Sequence, residues 1–179
     1  MKGADNMQKS NVFKMCCAAV FAALICVSIY AVPIPLAGNG YFNLGDCFII
    51  VAALSIGPLW GGIAGAVGAG LSDLLLGYTY YAPASFVIKW LMAVVSYYIF
   101  KAILKTGFKF KVVAVVVAAF AAELVMTVGY FVFEIPLYGI GTAVADIAGN
   151  AVQGVCGMVA GSLLYSILMK TGVVRKLFG

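Results

Sequence analysis

Apolar residues run along this chain in long unbroken stretches instead of alternating with polar ones. A bilayer-crossing helix needs ~20 apolar residues to span ~30 Å of hydrocarbon. Four stretches qualify directly: 12–32, 85–104, 112–133 and 141–169. The 47–76 stretch admits two readings, one helix of ~45 Å or two short ones of ~20 Å each, at 1.5 Å per residue. Gly57-Pro58 in its middle, followed by Gly61-Gly62, supplies both a helix breaker and a turn signal. No period-two alternation of the kind a transmembrane barrel requires is present.

Charge chooses between the two readings. If 47–76 is a helical hairpin, three basic segments fall on one side of the membrane. These are the start (Lys2, Lys9, Lys14), the 101–111 connection (Lys101, Lys105, Lys109, Lys111) and the end (Lys170, Arg175, Lys176). The opposite segments, 33–46, 77–84 and 134–140, hold no Lys or Arg. A single long helix would put four lysines on the wrong side, against the positive-inside rule. The expectation is therefore an all-α integral membrane protein, one transmembrane domain over 1–179 with both termini cytoplasmic. Its six helices are placed at about 12–32, 46–56, 59–77, 85–104, 112–133 and 141–169. The two middle helices are short for a full crossing and must be tilted or buried by their neighbours.

Composition narrows the class further. With 65% hydrophobic residues, 9% charged and a mean hydropathy of +1.12, the chain cannot cover a soluble surface. Its net charge of +5 belongs to membrane topology and not to nucleic acid. The chain holds no histidine and one arginine, in the tail, which weakens readings as a protease or lipid-processing enzyme. The five cysteines lie in apolar contexts without C-x-x-C spacing and read as small hydrophobes, so no metal or cofactor is implied.

The 33–45 segment, with Asp46 after it, reads PIPLAGNGYFNLGD. Proline and glycine deny it a helix, Asn39-Gly40 signals a turn and Tyr41-Phe42 an extended pair. Asn43 with Asp46 resembles a helix-capping pair. Such a segment reads as a lid over an outward-facing cavity, or as an interfacial loop with an aromatic anchor. Small residues four apart mark close helix packing: Ala18/Ala22 and Ala19/Ala23, then Gly61/Gly65/Ala69, Gly62/Ala66/Gly70 and the glycines of 149–161.

Ionisable groups inside a membrane are costly and usually functional. Counted at 1.5 Å per residue, Asp73 and Lys89 each lie ~6 Å from the outer face. That matched depth suits either an ion pair or two ligand contacts. Asp146, Asn150 and Gln153 follow along the last helix, Glu123 falls near the midplane and Glu134 at the outer mouth. Polar groups thus crowd the outer half, which argues for a pocket open outward and sealed below and against a continuous pore. Tyr41, Phe42, Tyr78, Tyr80, Tyr81, Phe86 and Trp90 fall at the same level, where they would suit a flat heteroaromatic ligand or form an interfacial belt.

These residues resemble the S components of energy-coupling factor (ECF) vitamin transporters, in the riboflavin-type branch. The resemblance rests on Gly40 to Asp46, the Gly57-Pro58-Leu59 turn, Ser72 to Tyr78, Ile88-Lys89 and Asn150-Ala151-Val152-Gln153-Gly154. It implies a six-helix protein that binds a vitamin from outside through Tyr41, Asn43, Asp73, Tyr78, Lys89, Glu123, Asn150 and Gln153. It implies that Ala18 and Ala22 dock a membrane coupling protein, the T component, which two cytoplasmic ATPase subunits drive. The chain itself has no G-x-x-x-x-G-K-[ST] phosphate loop. Riboflavin binders of the branch carry a lysine where Gln153 stands, so a smaller pyridoxine-like or hydroxymethylpyrimidine-like ring is expected. A riboflavin-specific component, or a stand-alone carrier in a prokaryotic plasma membrane, is the alternative.

Overall fold

A computed structural model describes residues 2–31, 33–35 and 41–178, with side chains for 11–31, 33–34 and 41–177. Residues 36–40 of the expected lid, including the Asn39-Gly40 turn, lie outside the described residues, as does Val32 at the end of the first expected helix. Seven helices and one two-strand hairpin are described: α1 (Lys2–Ala31), β1 (Ile34–Pro35), β2 (Tyr41–Phe42), α2 (Gly45–Ile56), α3 (Pro58–Leu76), α4 (Ala82–Lys105), α5 (Lys111–Tyr138), α6 (Ile140–Lys170) and α7 (Val173–Phe178). Five helices are long and apolar enough to cross a membrane, and α2 is a shorter apolar helix.

Some bounds differ from expectation for local reasons. Helix α4 starts three residues earlier, with Pro83 in its first turn, where a missing N–H costs nothing. Helix α5 runs through Pro136 to Tyr138, because in the last turn of a helix proline removes few backbone bonds. The link between α2 and α3 is Gly57 alone, at φ +93° and ψ 173°, a conformation that only glycine adopts without strain. Pro58 then opens α3.

Helices α1, α3, α4, α5 and α6 pack in that order around an open ring. Helix α2 bridges α6 and α1, and also touches α3 and α4, so it fills the centre. Its Ile49, Ile50, Ala52 and Ala53 are fully buried. Close approach explains the glycine rows: a Cβ at Gly61 would overlap the Ala53 backbone of α2, and one at Gly68 would meet Ile25 and the Ala22 carbonyl of α1. Outward positions are apolar instead, as at Val152 and Leu163, which suits contact with lipid.

The Ala18/Ala22 row faces inward. Ala18 is 4% exposed and Ala22 is half-buried against the core. The outward small pair is Ala19/Ala23. Both rows repeat every four residues, and successive residues on a helix point ~100° apart, so spacing alone does not tell which row meets the bundle.

Candidate functional site

One end of the bundle gathers the hairpin, the start of α2, the end of α3, the start of α4, the end of α5 and the start of α6. Nearly all polar chemistry lies there. Lys89 reaches from α4 into the centre at 1% exposure, which demands a partner. That partner is Asp46 of α2: Lys89 Nζ lies 2.5 Å from Asp46 Oδ1. Asp46 is fully buried, and its other oxygen accepts a 2.6 Å bond from Gln153 Nε2 on α6. Gln153 Oε1 in turn accepts the Asn43 backbone N–H at 3.0 Å. Because that N–H can only donate, it fixes which end of the Gln153 amide faces Asp46. Lys89 also lies 5.4 Å from the centre of the Tyr130 ring, a cation–π contact.

Of the two alternatives for Lys89 and Asp73, the ion pair is therefore not formed. Asp73 Oδ1 instead accepts the Tyr41 hydroxyl at 2.5 Å. Equal depth does not make two residues neighbours when they project from their helices in different directions. Asp46 is likewise no helix cap. Residue Leu44 holds the cap position without a side-chain bond, and the Asn43 carboxamide oxygen accepts the Gly45 N–H at 3.0 Å. Ser85 and Tyr130, which line the pocket, and Asp46, which holds Lys89 and Gln153 beneath it, were not among the expected binding residues. The only signal of Asp46 was an acid one residue into an otherwise apolar helix, and capping explained it too readily.

Above this network lies a cavity of ≈ 400 Å³ of empty space, counted to its open mouth. Its polar walls are Tyr41, Asn43, Asp73, Tyr81, Ser85, Lys89, Tyr130, Glu134, Asn150 and Gln153, and Ile29 and Ala69 complete it. Six of the eight expected binding residues thus line one hollow. Tyr78 does not line it but packs on Tyr41, ring centres 4.8 Å apart. Glu123 also lies apart, beneath the floor against Gly154 and Gly157 of α6, beside a separate apolar recess with Phe120 and Leu124.

The aromatic cluster is smaller than expected and partly different. Tyr81 joins Tyr78, Phe133 and Tyr138 at the mouth, and Tyr130 bonds Ser85 at 2.8 Å. Tyr80 is 80% exposed, while Phe86 and Trp90 point away from the pocket. On α4 the inward face is Ser85, Ile88, Lys89 and Met92. Phe86 and Trp90, one turn apart, occupy the neighbouring outward face.

Burial, and then the adjacent Asp73 carboxylate, push the Tyr41 phenol well above its ordinary range. Burial and Glu134, which accepts the Tyr81 hydroxyl at 3.2 Å, do the same to Tyr81. Both phenols are fixed as donors. Their bonds leave Asp73 Oδ2 and Glu134 Oε2 buried and without a hydrogen-bond partner among the described residues. A ligand that fits this wall supplies hydrogen-bond donors of its own. No group of three or more His, Cys, Asp or Glu among the described residues could hold a metal ion.

Lipid-facing helices around a polar pocket at one end define a substrate-binding membrane protein. The chain belongs to the family described as ECF-type riboflavin transporter, S component, whose sequence pattern matches residues 9–170. S components are transporter subunits and not enzymes, so the chain is a multi-pass cell-membrane subunit that binds a vitamin-type substrate. Two similar proteins agree in extent. One, from Pyrococcus woesei, is described only as an uncharacterised protein in the gap 3′ region and is 35% identical over 83% of this chain and 95% of its own length. The other is the thiamine precursor transporter HmpT of Lactococcus lactis subsp. cremoris, 27% identical over 94% of this chain and 95% of its own.

Proposed function

We propose that this protein captures a small aminopyrimidine, a thiamine precursor of the hydroxymethylpyrimidine kind, and passes it to an ATP-driven importer. The observation that carries the reading is that Asp73 and Glu134, each with one carboxylate oxygen lacking a hydrogen-bond partner among the described residues, both line the pocket. An aminopyrimidine offers an exocyclic amine and a hydroxymethyl group as donors, and a flat face for Tyr41 and Tyr130. The thiamine precursor transporter among its relatives supports the same class, as does Gln153 in place of a lysine. A pyridoxine-type ring is the nearest competitor in size.

In this reading the hairpin end faces outward, with the 33–45 segment as its lid. Both termini and the basic end are cytoplasmic, in keeping with the positive-inside rule. Six helices cross or enter the bilayer, with α2 and α3 acting as one broken element. The ligand contacts are Tyr41, Asn43, Asp73, Lys89, Asn150 and Gln153, with Tyr78 bracing Tyr41 and Glu123 supporting the floor from below. Transport requires a T component and two ATPase subunits, docked through α1, where Ala19/Ala23 face outward beside Ala22. On ATP hydrolysis the subunit tips in the membrane and releases its ligand inside.

Titration calorimetry of the detergent-purified protein with hydroxymethylpyrimidine, pyridoxine and riboflavin tests the substrate. The aminopyrimidine is expected to bind tightest. Tighter binding of riboflavin, or binding of none of the three by folded protein, overturns the assignment. For the docking role, Ala19→Leu with Ala23→Leu, on the outward row, is expected to abolish uptake and leave binding intact; unchanged uptake would refute it.

A further inference from the structure

The end of the bundle opposite the pocket contains a recess of ≈ 1990 Å³, open mouth included. Six cations line it: Lys14, Lys101, Lys111, Lys170, Arg175 and Lys176. They come from five different helices, α1, α4, α5, α6 and α7. Among the described residues no Asp or Glu lines the recess, and none of the six cations forms an ion pair within 4 Å. Topology explains why basic residues lie at this end, but not why six converge on one hollow while Lys105 and Lys109, on the same connection, stay outside it.

The rest of the lining narrows the ligand. Leu54, Phe100, Leu104 and Met169 form an apolar wall beside the cations, with Tyr97 and Tyr165 between. Such walls do not suit a fully hydrated inorganic ion alone. They suit a molecule with a phosphate diester at one end and hydrocarbon at the other. Basic pockets between membrane helices at the level of the headgroups are sites of this kind. We propose that this recess binds the headgroup of an anionic phospholipid, its phosphate among Lys101, Lys170 and Arg175 and its glycerol and upper acyl carbons against Phe100 and Leu104. The lipid would then join α1, α4, α5, α6 and α7 at the end of the bundle where their like charges otherwise repel one another.

The full-length protein, placed in phosphatidylcholine bilayers with and without phosphatidylglycerol, tests this by thermal unfolding and by native mass spectrometry of retained lipid. Phosphatidylglycerol is expected to raise the melting temperature and to stay bound through detergent washing. The triple change K101Q/K170Q/R175Q is expected to weaken lipid retention by at least about tenfold, and K105Q/K109Q to leave it unchanged. Lys170→Gln alone is expected to show a smaller loss in the same direction, should the triple variant not fold. Equal losses in the triple and the K105Q/K109Q variants would reduce the effect to diffuse charge and overturn the site. So would a shift with inorganic phosphate alone as large as with the lipid, or stronger stabilisation by a hexaglutamate peptide than by phosphatidylglycerol.

Discussion

The two ends of this bundle use charge in opposite ways. At the hairpin end, Asp46, Asp73, Glu134 and Asp146 are all buried, and Lys89 is the one buried lysine among the described residues. The central interactions there have defined partners and lengths, such as Lys89 to Asp46 and Gln153 to Asp46. At the opposite end, bases line an open recess with no acid among the described residues of its wall. Charges taken out of water must be paired within the protein, whereas charges at a wet rim need no partner. The first arrangement can discriminate between ligands by geometry; the second attracts by sign alone.

Removing one member of the buried pair should expose this contrast most sharply. Lys89→Met leaves Asp46 buried without its cation and is expected to cost about 3–5 kcal/mol, read as a fall in melting temperature in detergent. The double change Lys89→Met with Asp46→Leu should recover most of that loss. A double variant as unstable as the single one would mean that packing, not charge, holds α2 against α4.

A smaller effect is expected at the pocket wall. Asp73→Asn keeps an acceptor for Tyr41 but replaces the second carboxylate oxygen with an amide donor. Affinity for an aminopyrimidine is expected to fall about ten- to a hundredfold, measured by calorimetry, with little change in stability. An unchanged affinity would separate Asp73 from ligand recognition.

Smaller again is the response to alkali. The fold favours the neutral Tyr41 phenol, since burial and Asp73 raise its pKa above the unfolded value of about 10. Its contribution is full below that value and is lost progressively as pH rises beyond it. The stability difference between the protein and Tyr41→Phe should therefore be flat from about pH 6 to 9 and shrink above about pH 10. The smallest effect belongs to the basic end, where Lys105→Gln with Lys109→Gln, both exposed, should change stability by less than about 0.5 kcal/mol. A large loss there would erase the distinction between the two ends.

Much of the architecture was legible in the sequence, because hydropathy reports directly what must avoid water. The Gly57-Pro58 break is one example, since a single glycine at positive φ followed by proline admits no continuous helix. Lys89 and Gln153 stood out in the sequence as polar groups at membrane depth, and both line the pocket. Their partners did not stand out. Asp46 pairs with Lys89 across 43 residues and with Gln153 across 107, and no local pattern encodes how far each helix is rotated about its axis. The same blindness to rotation hid which alanine row of α1 faces outward and left open whether Phe86 and Trp90 face the pocket or the surface. The comparison with known proteins supplied the family but not these rotations, which only three-dimensional packing fixes.

Helix α2 has only twelve residues, ten of them buried, and it stands inside a ring of longer neighbours. At 1.5 Å per residue it is ~18 Å long, short of the hydrocarbon thickness. On leaving the ribosome it therefore has no stable resting place of its own in the bilayer. Its place depends on α1, α3, α4 and α6 packing around it, so the stability of this short helix is borrowed from its neighbours. Any loosening of α2 from that ring separates Asp46 from both Lys89 and Gln153 and leaves a buried acid without compensation.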